Sequence, residues 1–220
     1  MPTHPFASRI DAQIARPDAL AADVHKLATD AMRVGVAAVF AAPVWTARLA
    51  TMLRGSGVRV GSLVAYPHGS SKPTIKAIEA TSTIKDGADR IEIVPHLPHV
   101  LSLDLDGARA ELMEVVRAAR MTRREVPIAT IVDFGLLMNR RGERAVEAAC
   151  RAARESGCDG VVIAGNATAD LLALVKKYAE ALTVKVAPAS DPASARAALE
   201  AGADLVGTED PAAMLQDHVL

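Results

Sequence analysis

Residues 142–164, GERAVEAACRAARESGCDGVVIA, contain in one stretch the pattern that decides the fold. A helical segment over residues 142–155 is followed by Gly157, then by Cys158 and Asp159, and a short apolar run begins directly afterwards. Glycine suits the left-handed backbone position just past a helix end. The apolar run is typical of a strand that is buried on both faces.

The same order of helix, glycine and buried strand recurs along the chain. It is found at Gly35-Val36-Ala37, Gly87-Ala88-Asp89, Gly157-Cys158-Asp159 and Gly202-Ala203-Asp204. Helices that alternate with buried strands are the signature of βα units around a parallel sheet. The sequence therefore predicts an α/β fold.

Eight segments have the composition of such strands, and helices are predicted between them, for example over residues 107–120. The strands are residues 9–14, 37–41, 61–65, 90–94, 128–133, 160–164, 184–187 and 205–208. Eight parallel strands with covering helices predict one closed (β/α)8 TIM barrel over residues 1–220. An open doubly wound sheet is the alternative, but no dinucleotide or P-loop glycine motif follows any strand.

Composition narrows the function classes. Half of the 220 residues are apolar and the net charge is -1, which excludes an electrostatic footprint for nucleic acid or an anionic membrane. No stretch approaches the roughly 20 apolar residues of a membrane span, and the start resembles no signal peptide. Two cysteines, Cys150 and Cys158, indicate a reducing compartment rather than a disulfide framework. We expect a cytoplasmic protein.

The carboxyl ends of the strands carry the chemistry in barrels of this kind. In chain order, the polar residues predicted at these ends are Asp11, His68, Glu92, Asp133, Asn166, Lys185, Glu209 and Asp210. We expect these side chains to form the site.

Short motifs occur around these strand ends in a fixed order. They are Ile10-Asp11 with Pro17-Asp18, Tyr66-Pro67-His68-Gly69, Lys76 with Glu79, Gly87-Ala88-Asp89 with Glu92, residues 131–137, Val184-Lys185 and Gly207-Thr208. Over almost the whole chain, their order and spacing resemble the deoxyribose-phosphate aldolase family. The resemblance implies an aldolase-type lyase that acts on a small carbonyl substrate without a cofactor or a metal.

The chain departs from this family at the nucleophile. The family forms a Schiff base through a lysine on the sixth strand, and that lysine falls on Val162 here. No lysine lies between Lys85 and Lys176, so no shift of the alignment supplies one. Valine cannot form an imine. The family's second lysine corresponds to Lys185, which serves either as the amine itself or as a structural ion-pair partner.

Two carboxylates remain available for acid/base work. Glu92 stands where the family has its proton-shuttling carboxylate on the fourth strand, and Asp133 replaces a glutamate on the fifth. For both, a charge pair with Lys185 is the alternative. Lys185, Glu92 and Asp133 are the predicted catalytic residues, and Asp11, His68, Asn166, Glu209 and Asp210 are predicted to contact substrate.

The family's phosphate-binding residues are also replaced. Pro188-Ala189 stands in place of a glycine pair, and proline has no N–H to donate. Glu209 and Asp210 replace serines, and both would repel a phosphate. Asp191 and Asp210 each precede a proline, which predicts that they cap their own helices. The resemblance therefore implies a neutral, hydroxylated or cationic substrate without phosphate.

Two other functions stay open. One is an inactive aldolase homologue kept as a binding or assembly subunit, which a mouth filled by Phe134 and Tyr66 would favour. The other is a lyase or isomerase that uses carboxylates and histidines, with His68, His96 and His99 as candidate metal ligands. Barrels of this family often dimerise, so a homodimer is open as well.

Overall fold

The computed structural model describes residues 6–165 and 167–216. Within these ranges eight strands close into a parallel barrel, in which each strand pairs with its neighbours in chain order and the last pairs with the first. They are β1 (Ile10–Ile14), β2 (Ala38–Ala41), β3 (Arg59–Val64), β4 (Arg90–Ile93), β5 (Ile128–Val132), β6 (Gly160–Ala164), β7 (Thr183–Ala187) and β8 (Leu205–Thr208). The predicted (β/α)8 barrel is confirmed, and closure rules out the open sheet.

Helices cover the outside of the barrel. They are α1 (Ala21–Val34), α2 (Thr46–Met52), α3 (Pro73–Lys85), α4 (Leu97–Leu101), α5 (Leu105–Thr122), α6 (Phe134–Arg141), α7 (Glu143–Ser156), α8 (Ala169–Ala179), α9 (Pro192–Glu200) and α10 (Pro211–Gln216), with short 3-10 helices at Ala7–Arg9 and Pro43–Trp45. As predicted, α1 and α7 end at left-handed glycines, Gly35 with φ 72° and Gly157 with φ 86°. Among these helices, none has the length and apolar character needed to cross a membrane.

The strand bounds agree with the prediction to within two residues. The largest difference is in β3, which begins at Arg59 rather than at residue 61 and ends at Val64. It ends early because Ala65 has φ 58°, a left-handed conformation that extended strands do not contain.

A recurring clamp at the amino ends of the strands accounts for the Gly-x-Asp repeat. In each clamp, an aspartate just before an even-numbered strand accepts the backbone N–H of a residue on the preceding strand, and its own N–H donates to the carbonyl of that same residue. The pairs are Asp89 with Val60, Asp159 with Ile128 and Asp204 with Val184, with carboxylate distances of 3.0, 2.8 and 2.7 Å. A cation binds each carboxylate: Arg123, directly after α5, Arg120 in α5 and Lys176 in α8 respectively. Each clamp therefore fixes two strands and one helix together.

The core has an outer and an inner part. The outer part lies between the strands and the helices and includes the free cysteines Cys150 and Cys158. Burial raises the pKa of Cys158 to about 11 and that of Cys150 to about 12, so both thiols stay protonated at neutral pH. The inner part fills the barrel with Ala38, Phe40, Leu63, Val94, Ile131, Val162 and Ala187.

Replacing Asp204 by alanine tests the clamp. The Val184 N–H loses its acceptor and Lys176 loses its partner, so we expect the free energy of unfolding to fall by about 1.5–3 kcal/mol. Urea unfolding followed by circular dichroism measures the change. Glu125→Ala, an exposed residue between α5 and β5, is the control, with a change within about 0.5 kcal/mol. A loss no larger than that of the control would show that the backbone bonds alone hold these strands together.

Candidate active site

Four charged side chains meet inside the barrel. Nζ of Lys185 lies 2.8 Å from Oε1 of Glu92 and donates a hydrogen bond to it. The same Nζ lies 3.0 Å from Oδ2 of Asp11, an ion-pair distance at which the angles do not form a hydrogen bond. Oδ1 of Asp11 accepts a hydrogen bond of 2.8 Å from Arg90. Two cations therefore balance two carboxylates in a buried space.

The strand pleat and Gly61 make room for this cluster. Arg90 and Glu92 lie two residues apart on β4, so both point to the same face of the strand. The Phe40 ring lies under the cations, with Nζ of Lys185 at 4.0 Å and Cζ of Arg90 at 5.1 Å from its centroid. A Cβ at Gly61 would stand 2.4 Å from that ring. The strand therefore needs glycine at this point.

Three predicted residues meet in this cluster, and a fourth lies elsewhere. Glu92 and Asp11 both contact Lys185. The ion pair between Lys185 and Glu92 is one of the two alternatives that the sequence predicts for this lysine. Asp133 is exposed at the end of β5 and caps α6, where its carboxylate accepts the N–H of Leu136 at 2.8 Å. It therefore does not join the lysine.

Val162 lies beside the lysine. It pairs with Lys185 in the register of β6 and β7 and is 1% exposed. Its isopropyl group belongs to the apolar filling of the barrel. Val162 therefore contributes apolar packing to the barrel interior and no reactive group.

A cavity of about 650 Å³ opens at the carboxyl ends of the strands. Its lining includes the predicted residues His68 and Glu209, both exposed, together with Gln13, Arg16 and Tyr66. Lys185 and Glu92 instead line a second cavity of about 210 Å³ at the amino ends. The central pair is thus separated from the mouth by a layer of side chains.

Gln13 belongs to that layer. It is 4% exposed, and its Oε1 has no hydrogen-bond partner among the described residues. A Cβ at Gly207 would lie 2.9 Å from Gln13 Oε1 and 3.1 Å from Lys185 Cε, so the glutamine and the lysine are neighbours. Gln13 therefore connects the mouth cavity with the central amine.

The sequence reading missed Gln13, Arg90 and Phe40. The signal for the first two was available, because Asp11 and Gln13 on β1, like Arg90 and Glu92 on β4, are polar residues spaced two apart in buried strands. That spacing places both side chains inside the barrel. Phe40 gave no such signal, because an apolar residue in a buried strand fits either face.

Aspartates cap the amino ends of α9 and α10. The carboxylate of Asp191 accepts the N–H of Ser194 at 2.8 Å, and this bond lowers the pKa of Asp191. Asp210 accepts the N–H of Ala213 at 2.9 Å. Both predicted caps are confirmed. The predicted substrate contact Asn166 lies outside the described residues.

Arg16 is a cation that lines the mouth cavity. Its guanidinium binds Asp18 at 2.9 Å and Asp23 at 2.7 Å, and these hydrogen bonds, led by Asp18, raise the pKa of Arg16. The arginine is therefore a permanent cation with two carboxylates already bound.

The histidines considered as metal ligands do not converge on one point. His96 and His99 pack edge to face with ring centroids 5.1 Å apart, and Nδ1 of His99 lies 2.8 Å from Asp104. His68 is exposed at the mouth. Across residues 6–165 and 167–216, no group of three or more His, Cys, Asp or Glu side chains is arranged to hold a metal ion.

The closed parallel barrel places the chain in the class of (β/α)8-barrel proteins to which solved aldolases belong. Deoxyribose phosphate aldolase from Aeropyrum pernix superimposes with a TM-score of 0.84 at 24% identity, over 96% of this chain and 89% of that one. An aldolase designated QR15 gives 0.85 at 23% identity, over 96% and 94%. At these identities the likeness shows the shared fold.

Sequence relatives then give the family. Deoxyribose-phosphate aldolase from Mycolicibacterium paratuberculosis is 33% identical over 218 residues, which cover 96% of this chain and 95% of the relative. The enzyme of the same name from Geobacillus sp. is 28% identical with the same coverage. No family model matches the chain. The chain belongs to the deoxyribose-phosphate aldolase family, whose named members are lyases.

Lys185→Met tests the charge balance. It leaves one buried carboxylate uncompensated, so we expect the free energy of unfolding to fall by about 3–5 kcal/mol. Adding Glu92→Gln removes the surplus charge and should restore most of that loss. Urea unfolding of the single and double variants measures both. Lys177→Met, which removes an exposed ion pair with Glu143, is the control and should cost at most about 1 kcal/mol.

Additive losses in the double variant would contradict this account. They would show that Lys185 and Glu92 stabilise the barrel independently rather than through each other.

Proposed function

We propose that this chain is an aldolase-type lyase that uses Lys185 as its amine and acts on a hydroxylated carbonyl compound without phosphate. The observation that carries the proposal is the 2.8 Å contact between Nζ of Lys185 and Oε1 of Glu92 inside the barrel. An amine nucleophile needs a neighbour that accepts and returns protons. Glu92 is placed to do both.

The reaction balances with these two groups. Glu92 accepts a proton from the lysine ammonium, and the free amine attacks the substrate carbonyl. Loss of water from the carbinolamine, with the proton returned to the leaving hydroxyl, gives the imine. When the bond between the α and β carbons breaks, its electron pair moves into the protonated imine and forms an enamine, while the β-hydroxyl gives its proton to Glu92 and becomes the second carbonyl. Protonation of the enamine and addition of water release the first carbonyl product and regenerate Lys185.

Asp133 performs no step of this reaction in its present position. Its carboxylate is held by Leu136, and a role as a second proton relay would require that cap to open. Glu92 is the group in contact with the amine and therefore performs the proton transfers proposed here.

Hydrogen-bond acceptors at the mouth support a hydroxylated substrate. Oε1 of Gln13 has no hydrogen-bond partner in the described part of the chain, and Glu209 carries an exposed carboxylate. Acceptors of this kind bind hydroxyl groups, which donate. Because Gln13 adjoins Lys185, a substrate that binds Gln13 is directed towards the amine, and the glutamine side chain turns to admit it.

The same region disfavours a phosphate. Pro188 at the mouth has no N–H, and Asp191 and Asp210 occupy the donors at the starts of α9 and α10. A phosphate here would meet carboxylates where anion sites in barrels offer backbone N–H groups.

Borohydride trapping tests the imine. Incubation with glyceraldehyde or dihydroxyacetone and borohydride should add one substrate, less water and plus two hydrogens, and peptide mapping should place it on Lys185. Lys185→Arg keeps the charge beside Glu92 and forms no stable imine, so the adduct should be lost. Lys177→Arg, at an exposed site, should retain it. Absence of an adduct at Lys185 with every small aldehyde and ketone tried would refute the imine proposal.

Substrate preference tests the proposal that the mouth cavity disfavours a phosphate group. We expect kcat/KM for cleavage of 2-deoxyribose to exceed that for its 5-phosphate by about tenfold, because Glu209 repels the phosphate. Glu209→Gln should narrow this ratio, and Glu147→Gln on the outer face of α7 should leave it unchanged. Faster cleavage of the phosphate ester by the wild-type protein would contradict the proposal.

A second candidate function is a binding or assembly subunit without catalysis. The observation in its favour is Val162, which fills the barrel beside Lys185 where the resemblance places the Schiff-base lysine. The mouth cavity argues against this candidate. Phe134 is buried outside the barrel interior and Tyr66 is 41% exposed at the rim, so neither side chain fills the cavity. The Aeropyrum pernix relative is described as tetrameric. Under this candidate, self-association is the function.

A further inference from the structure

The amino ends of the strands surround the second cavity, which lies at the opposite end of the barrel from the mouth cavity. Its floor is formed by Lys185, Glu92 and Val162, and its rim includes Arg59 and Thr183. The volume is about 210 Å³. A water molecule takes about 30 Å³, so the space equals roughly seven waters.

The cations that line this cavity have hydrogen-bonding capacity that the neighbouring carboxylates in the described structure do not take up. The carboxylate of Asp159 is already bound by the Ile128 N–H and by Arg120. Arg90 donates one N–H to Asp11, and guanidinium carries five. Arg59 is exposed, and within the part of the chain that the structure describes its guanidinium has no hydrogen bond or ion pair. The rim therefore favours an anion.

The floor of the cavity carries a hydrogen-bond acceptor, Oε2 of Glu92, that has no donor among the described residues. Glu92 is 1% exposed and lines the cavity, and its Oε2 has no hydrogen-bond partner in the described structure. A buried carboxylate oxygen without a donor is costly, and native proteins rarely leave one. A ligand hydroxyl near this oxygen would supply the donor after a small turn of the carboxylate.

We infer that the amino-end cavity binds a small hydroxycarboxylate. The ligand carboxylate pairs with Arg59 and Arg90 at the rim, and a hydroxyl group donates to Oε2 of Glu92 at the floor. The volume suits a compound of about three or four carbons. Arg59 and Arg90, which bind the ligand carboxylate, take no part in the proposed imine chemistry, and Glu92 is the one residue common to both proposals.

Calorimetric titration with glycerate tests the site. Propionate lacks the hydroxyl groups and glycerol lacks the carboxylate, so each should bind about tenfold more weakly than glycerate. Arg59→Gln should weaken glycerate binding by about tenfold. Arg54→Gln removes an exposed arginine that does not line the cavity, and it should bind glycerate as the wild-type protein does.

Three results would overturn the inference: no binding of glycerate to the wild-type chain, equal affinity for propionate, or equal effects of Arg59→Gln and Arg54→Gln. The borohydride experiment stays separate, because Arg59→Gln should still form the Lys185 adduct. A failed imine with intact glycerate binding, or the reverse, therefore identifies which of the two proposals is at fault.

Discussion

The barrel depends on the neutrality of the cluster at its centre. Lys185 and Arg90 face Glu92 and Asp11 in the barrel interior, where an unpaired buried charge costs several kcal/mol. The four side chains come from three strands, β1, β4 and β7, spread around the barrel. Their contacts exist only when the barrel is closed and in register. The cluster thus requires the fold as much as the fold requires its balance.

Register is fixed at the amino ends, where the aspartate clamps lie. Asp89, Asp159 and Asp204 each bind both backbone groups of one residue on the neighbouring strand. A slip of one residue would turn every side chain of a strand to its other face. For β4 and β7, such a slip would move Glu92 and Lys185 out of the interior and leave their partners uncompensated.

The sequence predicts the barrel well because the evidence for it is local and repeated. Each Gly-x-Asp turn marks a helix end and a strand start, and the clamps show why aspartate recurs there. The site is harder to predict, because contacts such as that between residues 92 and 185 join strands distant in the chain. The position of Asp133 shows this limit: a strand-end carboxylate serves equally as a proton relay or as a helix cap, and only the local backbone decides. The position of the Lys185 and Glu92 side chains beside the amino-end cavity likewise depends on their neighbours Gly61, Phe40 and Gly207.

Retention of Lys185 does not by itself argue for catalysis. A lysine that neutralises Glu92 and Asp11 would stabilise an inactive barrel as well, so the contact between Lys185 and Glu92 supports catalysis only together with the polar groups around it. The unused acceptors carry more weight. An interior selected only for stability would pair or remove buried polar atoms, because each unpaired one lowers stability without return. Among the described residues, three buried side-chain oxygens have no hydrogen-bond donor: Asp11 Oδ2, which lies 3.0 Å from Nζ of Lys185, Gln13 Oε1 beside the mouth cavity, and Glu92 Oε2 beside the amino-end cavity. The last two of these oxygens lie towards opposite ends of the charge cluster, an arrangement that a barrel which binds small hydroxylated molecules would keep.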